Sequence, residues 1–145
     1  MLKILEVIRE INDVDELVEK GEILQNDKKY SEAMICFDKS IKIEPKHEYS
    51  WECKGLVYHK LKNYEESISC YDKAIEINQN NFEAWECKGL VYASWKKYEL
   101  AIPCYDKVID MVPENKFVWK NKGVALQHIC KHDDAEKCFK KYDEL

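Results

Sequence analysis

The chain is short of the residues that make turns. Its 145 residues include only four glycines and three prolines, too few for the many tight turns of a sandwich or barrel. It has no long apolar run, so no segment reads as a membrane span. It has no basic stripe, and its net charge is −5, which speaks against a nucleic-acid partner. No Gly-rich phosphate loop, zinc-protease motif or nucleophile elbow occurs. The four histidines and the carboxylates do not converge by spacing. These absences point away from an enzyme, a resident cofactor and a membrane. The opening MLKILEVIREIN sets Glu6 and Arg9 inside what a signal peptide would keep apolar. It reads as an ordinary amphipathic helix of a cytoplasmic protein.

What the chain does have is a period. The stretch WECKGLVY runs from Trp51 to Tyr58 and again from Trp85 to Tyr92, 34 residues later. At that period every glycine falls in one column: Gly21, Gly55, Gly89 and Gly123. Leu17, Trp51, Trp85 and Trp119 stand four places before it, and Leu24, Tyr58, Tyr92 and Leu126 three places after. Further on come Tyr30, Tyr64, Tyr98 and His132, then Ala33, Ser67, Ala101 and Ala135, then Phe37, Tyr71, Tyr105 and Phe139. Pro45 and Pro113 close two of the rows. Trp51, Gly55 and Tyr58 recur at i, i+4 and i+7, one face of a helix. Each row holds two helical windows. The first windows are about 14–26, 48–60, 82–94 and 116–128. The second are about 31–44, 65–78, 99–112 and 133–144. A small residue opposite a large one lets helices approach, so Gly55 and Ser67 mark a crossing. A mid-helix Gly costs about 1 kcal/mol against Ala, which closer packing must offset. Trp85 and Trp119 read as core residues whose loss to Ala leaves a cavity costing about 3–5 kcal/mol. Pro103 reads as lying about one turn into its helix.

The pattern W-x3-G-x2-Y, then A/S-x3-F/Y, then P, resembles the tetratricopeptide repeat family over residues 14–145. The resemblance implies an all-α fold, a right-handed superhelical solenoid of four helix-turn-helix repeats at 14–47, 48–81, 82–115 and 116–145. One departure recurs: Lys20, Lys54, Lys88 and Lys122 stand where the family usually has Leu. That W-x2-K-G spelling is similar to archaeal members. Residues 1–13 fall outside the period. Leu2, Leu5, Ile8 and Ile11 share a helical face there, and Asp13 with Glu16 reads as a capping box. This segment is expected to cap the first repeat; the alternative is a helix that docks a partner.

Five cysteines recur every 17 residues: Cys36, Cys53, Cys70, Cys87 and Cys104, with Cys138 in the same series. Seventeen is half a repeat, so these are equivalent places on alternating helices. They are expected to be buried, reduced thiols used as small apolar residues. The stretch HICKHDDAEKC offers His128, Cys130, His132 and Cys138 to a metal. The columns dissolve most of it: His132 takes a Tyr position and is expected to pack between helices, and Cys138 belongs to the thiol series. Cys130 alone has no place in that account.

Family geometry implies that the first helices line a concave, peptide-binding groove. The first repeat would offer Asp15, Val18, Glu22, Gln25 and Asn26. The second would offer Tyr49, Glu52, Leu56, His59 and Lys60. Glu83, Glu86, Leu90, Ala93 and Ser94 follow, then Phe117, Lys120, Val124, Gln127 and His128. Leu56, Leu90 and Val124 form an apolar stripe flanked by Glu22, Glu52, Glu83 and Glu86. Members of the family that clamp a C-terminal carboxylate use Lys, Asn and Arg in those columns, so that clamp is not carried over. The expected partner is a protein or peptide, basic or amphipathic. The rival expectation is a structural solenoid that forms a homo-oligomer through its terminal helices.

Overall fold

The computed structural model describes residues 2–145. Met1 and the side chain of Leu2, both part of the expected capping segment, lie outside the described residues. All regular structure among those residues is helical: α1 (Leu2–Glu10), α2 (Val14–Asn26), α3 (Tyr30–Ile43), α4 (Glu48–Lys60), α5 (Tyr64–Ile77), α6 (Phe82–Ser94), α7 (Tyr98–Met111), α8 (Lys116–His128) and α9 (His132–Glu144). The even-numbered helices coincide with the windows read from the sequence. The odd-numbered helices from α3 onward open one residue earlier, on Tyr30, Tyr64, Tyr98 and His132. Contacts group the chain into two compact units, one ending at Gln79 and one spanning Asn80–Leu145.

Each unit is built from antiparallel helix pairs, α2 with α3 and α4 with α5 in the first, α6 with α7 and α8 with α9 in the second. The glycine column makes the close crossings. A Cβ on Gly89 would sit 2.6 Å from a ring carbon of Tyr105, and one on Gly123 2.7 Å from Phe139. Gly21 lies at least as close to Phe37. Gly55 is looser, at 3.1 Å from Tyr71, and there the Ser67 hydroxyl donates to the Gly55 carbonyl at 2.7 Å. The aromatic rings of the second helices therefore lie directly on the backbone of the first, which offsets the helix propensity lost at glycine.

The turn inside each pair repeats to the hydrogen bond. Lys28, Lys62, Lys96 and Cys130 all have φ near +60°. In the first turn, Lys28 N–H donates to the Gln25 carbonyl and Lys29 N–H to the Leu24 carbonyl; equivalent pairs close the other three. This is the Schellman arrangement, which saturates the last carbonyls of a helix. It accounts for Cys130: the residue occupies a turn position that needs backbone geometry and leaves its side chain exposed.

The helix starts share a column as well. Asp13 accepts from Glu16 N–H at 2.9 Å, Asn81 from Ala84 N–H at 2.8 Å and Asn115 from Val118 N–H at 3.4 Å. Each is an N-cap, worth about 1 kcal/mol. His47 holds the fourth place without a side-chain bond to the backbone.

Helix α1 packs on α3. Ile8 and Ile11 bury themselves with Leu17, Val18, Cys36 and Phe37. The Lys39 ammonium on α3 donates to the carbonyls of Ile8 at 3.0 Å and Arg9 at 2.8 Å, and also to that of Ile11. A cation thus completes the exposed C-terminal end of α1.

Three expectations need correction. Pro103 is the sixth residue of α7, beyond the first turn, so its ring denies the Glu99 carbonyl a partner that an ordinary residue would supply. His132 is exposed: it opens α9, where the Tyr column is only half-buried in the other repeats. The tryptophans at 51, 85 and 119 are also half-buried, because their indoles reach the surface. Trp51 and Trp119 donate to the carbonyls of Pro45 and Pro113 at 3.0 and 2.9 Å.

Candidate functional site

The residues that the period assigns to the first-helix face can be followed in each unit by itself. In the first unit α2 touches α4. The Tyr49 hydroxyl on α4 donates to Glu22 Oε1 on α2 at 2.5 Å. That bond to a carboxylate, with burial second, pushes the Tyr49 phenol well above its ordinary range. Glu52, Leu56 and His59 are half-buried beside it, Lys60 is exposed, and Tyr49 itself is 45% exposed. Burial, and then the Lys60 charge, hold the His59 ring below the usual imidazole value. Val18 does not belong to this face: it is buried with Leu17 and Ile8 in the core. Its apolar side chain turns into the packing that α1 supplies, which the repeat period could not reveal.

In the second unit α6 touches α8. Phe117 is 63% exposed and Val124 39% exposed, one above the other on α8 at a spacing of two turns. Leu90 and Ala93 on α6 are half-buried, while Glu83 and Ser94 are exposed. Glu86 is half-buried and accepts from Asn115 Nδ2 at 3.1 Å. Two positions do not simply face outward. The Lys120 ammonium lies 5.5 Å from the centre of the Tyr142 ring, with Lys116 at 4.8 Å. His128 stacks flat on Tyr98, ring centres 4.2 Å apart. Gln127 is exposed. The charge of this face is mixed: α6 brings Glu83 and Glu86, whereas α8 carries Lys116, Lys120 and Lys122 and no carboxylate.

The unexpected lysine column has a physical reason. Lys54 pairs with Asp38 of the preceding helix at 2.6 Å, and Lys122 with Asp106 at 2.5 Å. Each ammonium also lies about 5.8 Å over a tryptophan ring, Trp51 or Trp119. The lysines therefore join consecutive repeats through an ion pair, while a cation–π contact to the tryptophan one turn back on the same helix holds the ammonium in place. The sequence carries the signal as Asp38 and Asp106, sixteen residues before each lysine.

All seven cysteines are free thiols. Burial pushes the Cys36 and Cys70 thiols up to about 11. Burial, helped by the charge of Glu22, pushes Cys53 up to about 12. These groups stay protonated at neutral pH and are poor nucleophiles. Cys87 is half-buried and Cys130 exposed; the others are buried. Among the described residues no group of three or more His, Cys, Asp and Glu side chains could hold a metal ion. No helix among them is long and apolar enough to cross a membrane.

The chain resembles known proteins in both sequence and fold. One family model described as TPR repeat matches residues 55–95. Two described as tetratricopeptide repeat match residues 36–69, and residues 17–47 and 82–115. No curated protein matches the sequence. Solved structures do match. A crystal structure of MamA superposes with a TM-score of 0.88 at 23% identity, over 97% of this chain and 83% of that one. MamA from Desulfovibrio magneticus RS-1, residues 41 to the end, gives 0.84 at 27% identity, over 98% and 85%. The first TPR of Spaghetti (RPAP3), bound to the HSP90 peptide SRMEEVD, gives 0.76 at 23%, over 81% and 95%.

Proposed function

The chain belongs to the tetratricopeptide repeat family, and from that premise we propose that it is a non-enzymatic protein-interaction module of the cytoplasm. Its array would be the four repeats at 14–47, 48–81, 82–115 and 116–145, with residues 1–13 as their cap. The binding surface would be the exposed faces of the first helices: Tyr49, Glu52, Leu56, His59 and Lys60 in the first unit; Glu83, Glu86, Leu90 and Ser94 with Phe117, Lys120, Val124, Gln127 and His128 in the second. The observation that carries this reading is the exposure of Phe117 and Val124 on one strip of α8. Exposed apolar residues in a row tend to mark binding surfaces. A peptide bound to the first TPR of Spaghetti supports the peptide-binding reading for a chain of the same fold. The carboxylates Glu52, Glu83 and Glu86 favour a basic or amphipathic helix as ligand.

The test uses two labelled helical peptides, one of leucine and lysine, one of leucine and glutamate, followed by fluorescence anisotropy. The basic peptide is expected to bind, more weakly at high salt. Phe117→Ser should weaken it about 5- to 100-fold, the scale of a lost interface anchor, while thermal unfolding stays within about 0.5 kcal/mol. Tyr92→Ala is the control that lowers stability itself. Equal binding of the two peptides would refute the charge preference. No effect of Phe117→Ser would remove α8 from the site.

A further inference from the structure

On α8, Leu126 stands where α4 and α6 carry Tyr58 and Tyr92, and a cleft opens beside it. Where the tyrosine is present, its ring lies next to the lysine of the same helix, 5.9 Å from the Lys54 ammonium and 6.0 Å from that of Lys88. Leu126 has no ring to place there. Leu24, the other leucine of the column, is buried in the cluster that α1 joins. The cleft has a volume of about 360 Å³ and lies between α7, α8 and α9, with Ile102, Trp119 and Leu126 forming its apolar side. These three also pack together. Such a volume lies at the lower end of the range for pockets that hold small organic molecules.

The rim of the cleft is cationic. Lys122 reaches it from α8, Lys131 from the turn and Lys137 from α9, against Asp106 and Asp134. Both carboxylates are already paired, Asp106 with Lys122 at 2.5 Å and Asp134 with Lys137 at 2.9 Å. Lys131 is exposed and has no ion pair among the described residues. The Lys137 hydrogen bond first, with the Lys131 and Lys122 charges added, holds the Asp134 carboxyl below its ordinary value. The matching positions around α4 are Lys54, Asn63 and Ser69 with Asp38 and Glu66. One cation and two carboxylates in the first unit thus become three cations and two carboxylates here.

We propose that this cleft binds a small aromatic carboxylate, with its ring against Trp119 and Leu126 and its carboxylate at Lys131 and Lys137. The ring takes the space that a tyrosine ring takes on α4, and Trp119 offers it an aromatic neighbour. Apolar walls with a few convergent charged groups are the usual make-up of a small-molecule pocket, and hydrogen bonds from ammonium to carboxylate are among the strong ones. Beyond the rim, α9 exposes Asp133 and Glu136. An acidic peptide running on along α9 would meet like charge there, whereas a compact anion ends at the lysines. The cleft shares no residue with the first-helix faces of the proposed function and does not rest on that reading.

The experiment follows backbone amides by NMR while the full chain is titrated with 2-naphthoate, and separately with 2-naphthylmethanol as the neutral analogue. Naphthoate should give saturable shifts at Trp119, Leu126 and Lys131. The neutral analogue should bind about 10-fold more weakly or worse, the weight of a hydrogen bond to a charged group. Lys131→Gln with Lys137→Gln alters exposed side chains only and should weaken naphthoate by a similar factor. Leu126→Tyr, the residue of α4 and α6, should fill the cleft and abolish the saturable shifts, with the amide spectrum reporting that α8 and α9 remain folded. Phe117→Ser, on the first-helix face, should leave naphthoate binding unchanged, which separates this site from that surface. Equal affinity for the two probes, binding indifferent to both lysine changes, or no saturation at all would overturn the proposal. An acidic, phenylalanine-containing peptide that shifts the same amides and binds more tightly than naphthoate would overturn the small-molecule occupant and assign the cleft to a protein.

Discussion

The junction between α3 and α4 and the junction between α7 and α8 are the same place in the repeat, two periods apart, and they are held in opposite ways. In the second unit Val108 and Val118 are fully buried in one apolar cluster. In the first unit the matching residues are Ser40 and Ser50, also fully buried, and their hydroxyls hydrogen-bond to each other. Ser50 is reached from outside by His47 Nδ1 at 2.6 Å, and His47 Nε2 faces the exposed Asp15 carboxylate at 3.7 Å. The N-cap column changes with it. Asn115 caps α8 through its side chain, whereas His47 gives up that bond and turns its ring onto Ser50. At the polar junction the buried residues and the cap residue differ together from those of the apolar one, so that each buried hydroxyl has a partner. A buried polar group without a partner costs more than its hydrogen bond returns.

That contrast can be broken from the apolar side first. Val118→Ser would place a hydroxyl beside Val108 with no histidine at the cap to receive it. The loss of packing and the unsatisfied group should together cost about 2–4 kcal/mol, read as a lowered midpoint in urea. A loss below about 1 kcal/mol would mean that the second unit can rearrange to satisfy the hydroxyl. The next effect has the opposite sign. Pro103→Ser should stabilise the second unit by about 1–3 kcal/mol, because Pro103 lies beyond the first turn of α7 and removes a helical hydrogen bond. The same urea experiment measures it, and an unchanged midpoint would show that the helix already accommodates the ring. The smallest effect sharpens the polar side. Ser50→Val alone leaves Ser40 and His47 without their partner and should cost about 1–2 kcal/mol. Adding Ser40→Val should recover most of that loss, since replacing both partners of a buried pair can be nearly neutral. Additive losses in the double variant would mean that the serines act independently.

The helices are legible in the sequence because the columns carry their period: Gly at the crossing, an aromatic residue opposite, a Trp or Leu one turn before. The turns are less legible. Lys28, Lys62 and Lys96 adopt a left-handed backbone that glycine or asparagine normally marks, so composition gives no warning, and only the matching hydrogen bonds reveal the motif. The binding face is legible as a set of positions but not as a set of exposures. Glu22 and Glu86 are engaged by Tyr49 and Asn115, Lys120 lies over Tyr142, and Val18 turns inward. Each of these depends on a neighbour from another helix. The lysine column belongs to both classes: its recurrence is plain in the sequence, while its reason lies in Asp38 and Asp106 across the junction.

By itself the sequence determined the repeat, because a 34-residue period of small and aromatic residues has few ways to bury its apolar surface other than helix pairs stacked on their neighbours. It also determined that six of the seven cysteines, all but Cys130, fall on equivalent helix positions, since a spacing of half a repeat marks them as packing residues without reference to any contact. Only the tertiary structure decided which polar residues spend themselves on the fold. Ser40, Ser50, Lys39 and Lys54 look like surface residues when the chain is read in line, and each is tied to another helix. The reason is that side-chain periodicity fixes the face of a helix, whereas the partner on that face comes from packing between elements distant in sequence.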